Sequence, residues 1–99
     1  MSFVTTMSEA MTATASGLQD VGSAVAVGNT VAAAPTTGVI PAAADAVSAL
    51  TAVQFATHAQ MYQAISAQAA TIHDLFVATL GASAGSYAAA EAANTGTLI

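Results

Sequence analysis

The sequence predicts an all-α fold: an antiparallel two-helix hairpin that needs two further helices to close a four-helix bundle. Three observations predict it. Alanine, the strongest helix former, supplies 28 of the 99 residues. A single dense turn signal, Pro35-Thr36-Thr37-Gly38-Val39-Ile40-Pro41, divides the chain. No Pro or Gly interrupts residues 42–80. A chain of this length makes one domain at most.

The first helix is expected over about residues 8–36. Thr6-Met7-Ser8-Glu9 reads as a capping box, with Thr6 as the cap and Glu9 reaching back to the Thr6 amide. Met11, Thr14, Leu18, Val21, Val25, Gly28 and Ala32 then recur at the 3–4 spacing of one helix face. Gly17, Gly22 and Gly28 each weaken the helix by about 1 kcal/mol relative to Ala, but they remove bulk and let a second helix approach. Pro35 disfavours helical geometry in the residue before it, so the helix fades between Pro35 and Thr37.

The connector is expected over about 37–44. Val39 and Ile40 are large for a solvated loop and are expected to plug the end of the hairpin. Asp45 is a good N-cap for a second helix over about 45–80. The apolar stripe of that helix reads Val47, Leu50, His58, Tyr62, Ile65, Ala69, Ile72, Phe76 and Leu80, widened by Phe55, Met61 and Leu75. Gly81 stands where a C-terminal cap belongs. That leaves 81–99 as a tail: a small-residue link over 82–86, two further turns over Tyr87 to Asn94, and frayed residues from Thr95 to Ile99.

This core is thin. Val, Ile, Leu and Phe together number 21, and alanine buries little area. A hairpin hides one stripe per helix and leaves the wide flank of the second helix exposed, which on a soluble protein marks a partner. Leu18, Val21, Val25, Ile65, Ile72 and Phe76 are expected to be buried in the hairpin or at the partner interface, and the pattern does not divide them between the two.

Composition removes several chemistries. There is no Lys or Arg, and Glu9, Asp20, Asp45, Asp74 and Glu91 give a formal charge of −5. Nucleic acid is therefore not an expected partner. Without Cys there is no disulfide framework, thiolate metal site or cysteine nucleophile. Residues 1–30 lack the positive n-region and unbroken apolar run of a secretory signal, so no cleavable signal peptide is expected. No apolar run reaches the length of a membrane span. His58 and His73 lie about four turns apart on one helix and cannot share a metal. His58 is expected on the packing face near Tyr62, and His73, beside Asp74, in solvent. No nucleophile–base pair stands out, so neither an enzyme nor a cofactor is expected. Gly81-Ala82-Ser83-Ala84-Gly85 matches GxxxG but reads as a helix stop and linker outside an apolar 20-mer. Tyr87 and Glu91, at i and i+4, share a helix face and form a candidate recognition handle.

These residues complete a pattern that resembles the mycobacterial PE family, in its conserved N-terminal domain and without the C-terminal extension some members carry. The resemblance rests on Met1-Ser2-Phe3-Val4 with Ser8-Glu9, on the stretch from Ala34 to Asp45, on Val47 to Ala52, on His58 to Ala64, and on Ser86 to Asn94. The family's eponymous Pro-Glu pair is half lost, since Ser8 replaces the Pro, and this puts only the helix start in doubt. The resemblance implies a non-enzymatic substrate of type VII (ESX) secretion that forms a helical heterodimer with a PPE protein. It implies that Tyr87 and Glu91 are the Y-x-x-x-E export signal. It implies an EspG-type chaperone that acts through the PPE partner, a passing cytoplasmic stage, and release to the cell surface, the outer membrane or the medium. A subunit of a PE/PPE outer-membrane complex for small-solute uptake is the alternative, and a self-associating four-helix homodimer a third reading.

Overall fold

The computed structural model describes residues 4–97, which form two helices, α1 (Ser8–Thr37) and α2 (Ala46–Thr97), with no strand among them. Met1-Ser2-Phe3 of the sequence pattern, and the expected fraying of Leu98 and Ile99, lie outside the described residues. The chain divides into two units, one from residues up to Gly22 with those from His73 onward, the other from Ser23–Ile72.

The Ser23–Ile72 unit contains the turn. Pro35 sits inside the last turn of α1, where only two further residues must remain helical. The hydroxyls of Thr36 and Thr37 donate to the Ala32 and Ala33 carbonyls, both at 2.6 Å, and the Gly38 amide closes on the Ala34 carbonyl at 3.0 Å. The hydroxyls add a second donor to carbonyls of the last turns, and the Gly38 amide pairs one of the four terminal carbonyls. Asp45 caps α2 as expected: its Oδ1 accepts the Ser48 amide at 2.6 Å, and its carbonyl accepts the Ala49 amide at 3.1 Å. Val39 is half-buried, but Ile40 is 84% exposed, so only one of the two expected plugs turns inward. Ala52 and Ala59 are the buried apolar residues of this unit, and Asn29 on α1 bridges to α2 twice. Its side-chain Oδ1 accepts the Tyr62 hydroxyl at 2.8 Å, and its carbonyl accepts Nε2 of Gln63 at 3.0 Å.

The other unit packs the start of α1 on the end of α2. Its buried residues are Ala15 and Ala84, with Met11, Leu18, Val77 and Leu80 half-buried. His73 Nε2 lies 2.7 Å from the Leu18 carbonyl. A carbonyl only accepts, so Nε2 carries the proton. The Cδ2–Nε2 edge of the ring lies against Gly22: a Cβ built there would meet His73 Cδ2 at 2.7 Å and Nε2 at 2.8 Å. His73 is thus a half-buried seam residue, not the solvated one expected, and His58, expected on the packing face, is exposed.

Two expectations about helix ends are corrected. The Thr6–Glu9 capping box does not form; the Thr6 amide and hydroxyl both donate to Glu91 instead, and α1 opens with the Met11 amide on the Met7 carbonyl. Nor does α2 stop at Gly81. It runs through Gly81 and Gly85 to Thr97, so the expected link and tail are helix. A glycine stops a helix by adopting a left-handed conformation, and no described glycine has positive φ. Each costs the helix about 1 kcal/mol relative to Ala. The packing of Ala84, 1% exposed between them, recovers part of that cost.

The seam lies beside the expected stripes. On α2, the residues turned toward α1 are Ala52, Ala56, Ala59, Gln63 and Ser66 in one unit, and His73, Val77, Leu80 and Ala84 in the other. On α1 they are Asn29, Ala32, Ala33 and Thr37 in the first unit, and Met11, Ala15, Leu18 and Gly22 in the second. Ser66, His73 and Val77 each stand one position beyond the expected Ile65, Ile72 and Phe76. One position is about 100° around a helix, enough to move a side chain from the seam to the surface.

The close approach at Gly22 predicts opposite outcomes for two glycines. Gly17 has open space where a Cβ would go, so Gly17→Ala raises stability by about 1 kcal/mol through helix propensity. Gly22→Ala displaces the His73 ring from Leu18, and the lost hydrogen bond, worth about 1 kcal/mol, cancels that gain. Thermal unfolding followed by circular dichroism checks both. At the Asp45 cap, the Ser48 amide and then the Ser48 side chain hold the carboxyl below its ordinary value, against a small opposing effect of desolvation. The cap's contribution is therefore complete above the unfolded aspartate pKa and is lost as pH falls through the lower folded value. The protection of the Ser48 amide, taken relative to the intrinsic exchange rate at each pH, falls over that acid range, and Asp45→Asn removes the dependence.

Candidate functional site

Four alanines, Ala15, Ala52, Ala59 and Ala84, are the only fully buried hydrophobic residues described. Each contributes about one methyl group, on the order of 0.8 kcal/mol. The large apolar side chains face outward. In the unit with the turn, Val25 is 55%, Ile65 61% and Ile72 68% exposed, and Leu50, Phe55 and Met61 are exposed as well. Leu50, Met61, Ile65 and Ile72 stand at sums of three and four residues, which places them on one face of α2. In the other unit, Val21 and Phe76 are each 55% exposed, with Leu75 beside Phe76 exposed, while Leu18 is half-buried. Of the six apolar residues singled out by spacing, then, Leu18 alone is partly covered by the hairpin. Burying a side chain of the Val, Ile or Phe kind gives about 1.5–3 kcal/mol. Most of the burial energy available to this chain therefore lies on its outer face.

Tyr87 and Glu91 both lie on α2, one turn apart. Tyr87 is 47% exposed, and Glu91 is half-buried. Glu91 Oε1 accepts the Thr6 amide at 2.9 Å and the Thr6 hydroxyl at 3.2 Å. The pair expected on a loosely packed tail is thus carried on a helix that touches the segment before α1. The sequence pattern does not reveal Thr6 as a partner of Glu91, because 85 residues separate them and Thr6 already has a local reading as a cap. Asn29, Gln63 and His73 also escaped the apolar-stripe reading. Their signal is the stripe of small and polar residues one position beyond the large apolar ones.

Hydroxyl chemistry has little room here. Thr12, Thr14, Thr30, Thr51, Thr71, Thr79 and Thr95 each donate to the carbonyl four residues back, the usual local bond of a helical threonine. Among the described residues no three His, Cys, Asp or Glu side chains gather as a metal site, and no helix is long and apolar enough to cross a membrane.

Two helices joined by one turn, with buried alanines between them and large apolar side chains outside, define the class: an all-α helical hairpin. The chain belongs to the PE family, whose family model matches residues 4–94. It is 61% identical over 94 residues to PE family protein PE13 of Mycobacterium tuberculosis, a match covering 95% of both chains. It is 56% identical over 98 residues to PE-PGRS family protein PE_PGRS33 of the same organism, covering 99% of this chain and 20% of that protein. A third relative, named Esterase PE16, is 52% identical over 94 residues, and the matched segment is 18% of its length. The chain thus spans nearly all of one relative and about a fifth of the other two.

The outward face predicts a separation of folding from association. Ile72→Glu or Phe76→Glu places a charge on an exposed position and leaves helix content unchanged, within about 0.5 kcal/mol of the parent chain. Circular dichroism with thermal unfolding measures it.

Proposed function

We propose that the chain is a non-enzymatic substrate of type VII secretion that pairs with a PPE protein through its outward apolar face and carries Tyr87 and Glu91 as its export signal. The observation that carries this reading is the alanine seam: the hairpin spends its small residues internally and leaves Val21, Val25, Ile65, Ile72 and Phe76 exposed. Two partner helices laid along that face close a four-helix bundle, the arrangement in which such stripes are normally covered. Membership of the PE family supports a helical partner of the PPE kind. An EspG-type chaperone then engages the PPE partner, not this chain. The pair passes from the cytoplasm to the cell surface or medium through the type VII machinery.

The formal charge of −5, with no cation to offset it, favours a partner whose apolar surface is rimmed by Lys or Arg. Tyr87 stands about half exposed one turn from Glu91, which supports its being read by another protein.

Capture of the tagged chain from its mycobacterial host, with mass spectrometry of what co-purifies, tests the pairing. The expected result is a stoichiometric PPE protein. Trypsin cannot cut a chain without Lys or Arg, so a second protease is used to quantify it. Recovery of the chain alone as a folded oligomer would overturn the interface and favour self-association. Recovery only from detergent-extracted envelope would favour the solute-uptake complex. Tyr87→Ala is expected to abolish export while leaving the pair intact, read by immunoblot of culture filtrate against co-purification from lysate; normal export of that variant removes the signal assignment.

A further inference from the structure

We propose that Thr6 is a positioning residue for the Glu91 carboxylate, so that the segment preceding α1 is part of the export signal. This rests on the reading of Tyr87 and Glu91 as that signal. Both donors of Thr6 converge on one oxygen: the amide at 2.9 Å and the hydroxyl at 3.2 Å both reach Oε1. A glutamate on a helix surface ordinarily samples several rotamers, because three bonds separate its carboxylate from the backbone. Two donors from a segment 85 residues away fix that group in one place. Tyr87 is one turn away on the same helix, so fixing Glu91 sets the direction of the carboxylate relative to the turn that carries Tyr87.

The chemistry of the contact favours positioning over masking. Thr6 offers neutral donors, which orient a carboxylate without cancelling its charge. With no Lys or Arg anywhere, the chain holds no strong cation to neutralise it. Thr6 engages Oε1 only, which leaves Oε2 outside its contact. The surface that reads this signal is accordingly a pocket for a phenol ring with a Lys, Arg or N–H donor beside it, set to meet a carboxylate held in a fixed direction. A linear four-residue spacing on α2 does not encode that direction. The juxtaposition of Thr6 with Glu91 does.

The test is export of the full chain, with its partner, from the native host. Thr6→Val removes the hydroxyl and keeps the shape. It is expected to lower the exported fraction by about tenfold, the order of effect of losing one hydrogen bond to a charged acceptor, with helix content and pairing unchanged. Thr6→Ser, which keeps the hydroxyl, is expected to restore export. Parental export of Thr6→Val, a rise in export, or a failure of Thr6→Ser to rescue overturns the proposal. If Thr6→Val disturbs pairing, Thr6→Ala makes the same deletion without the added bulk; loss of pairing in both assigns Thr6 to the fold and overturns the proposal. Tyr87→Ala runs alongside. Its normal export would remove the signal reading itself and this proposal with it, whereas a blocked Tyr87→Ala beside a parental Thr6→Val would remove only the role of Thr6.

Discussion

The fully covered positions between α1 and α2 are all alanine. Ala15, Ala52, Ala59, Ala84 and Gly22 admit close backbone approach, and that approach dictates the rest. Where alanines and Gly22 line the seam there is little room for a large side chain, and Val21, Val25, Ile65, Ile72 and Phe76 all turn outward. The exposed face is thus a geometric consequence of the seam. It is also a thermodynamic debt, since exposed apolar area of this extent is stabilised only by covering it. The chain separates two kinds of residue that most small domains mix: small ones make up its fully covered positions, and most of its large apolar ones stay exposed.

An alanine seam has a weakness. Methyl groups look alike from turn to turn, so sliding one helix along the other changes packing little. Polar contacts supply the missing specificity. Asn29 meets Tyr62 and Gln63, His73 meets Leu18, and Thr6 meets Glu91, each joining one residue pair at one register. A slip of one turn breaks every such bond and leaves half-buried polar groups unpaired, a penalty of the order of 1–3 kcal/mol each. The polar contacts hold register where the apolar ones do not discriminate, a division of labour known from single polar residues in coiled coils.

The two helices, the turn at Pro35–Pro41 and the Asp45 cap were legible because each has a strong local signal. Alanine content, paired prolines and a capping aspartate act within a few residues of where they stand. The facing of the helices was not legible in the same way. Spacing identified a stripe of large residues but did not divide Ile65, Ile72 and Phe76 between the seam and an outer surface; the structure turns Ser66, His73 and Val77 toward the seam. Spacing along one helix does not say what covers a stripe. Gly81 misled for a related reason: its isolated preference is to end a helix, and the packing of Ala84 overrode it. Tyr87 and Glu91 were found by spacing, but the contact of Glu91 with Thr6 spans nearly the whole chain and has no local trace.

The contacts that set register differ widely in the length of chain they close. Those of Asn29 span 33 and 34 residues, that of His73 with Leu18 spans 55, and that of Thr6 with Glu91 spans 85. Loop-closure entropy rises with the logarithm of length, and each closure shortens the loop left for the next. Pairing therefore starts at the turn and proceeds toward the termini, like a zip fastened from its closed end. On a ribosome the same order is imposed by synthesis, because Glu91 emerges after every other member of these pairs. The joining of Thr6 to Glu91 is the last of these events, and it marks a chain whose helix register is already set.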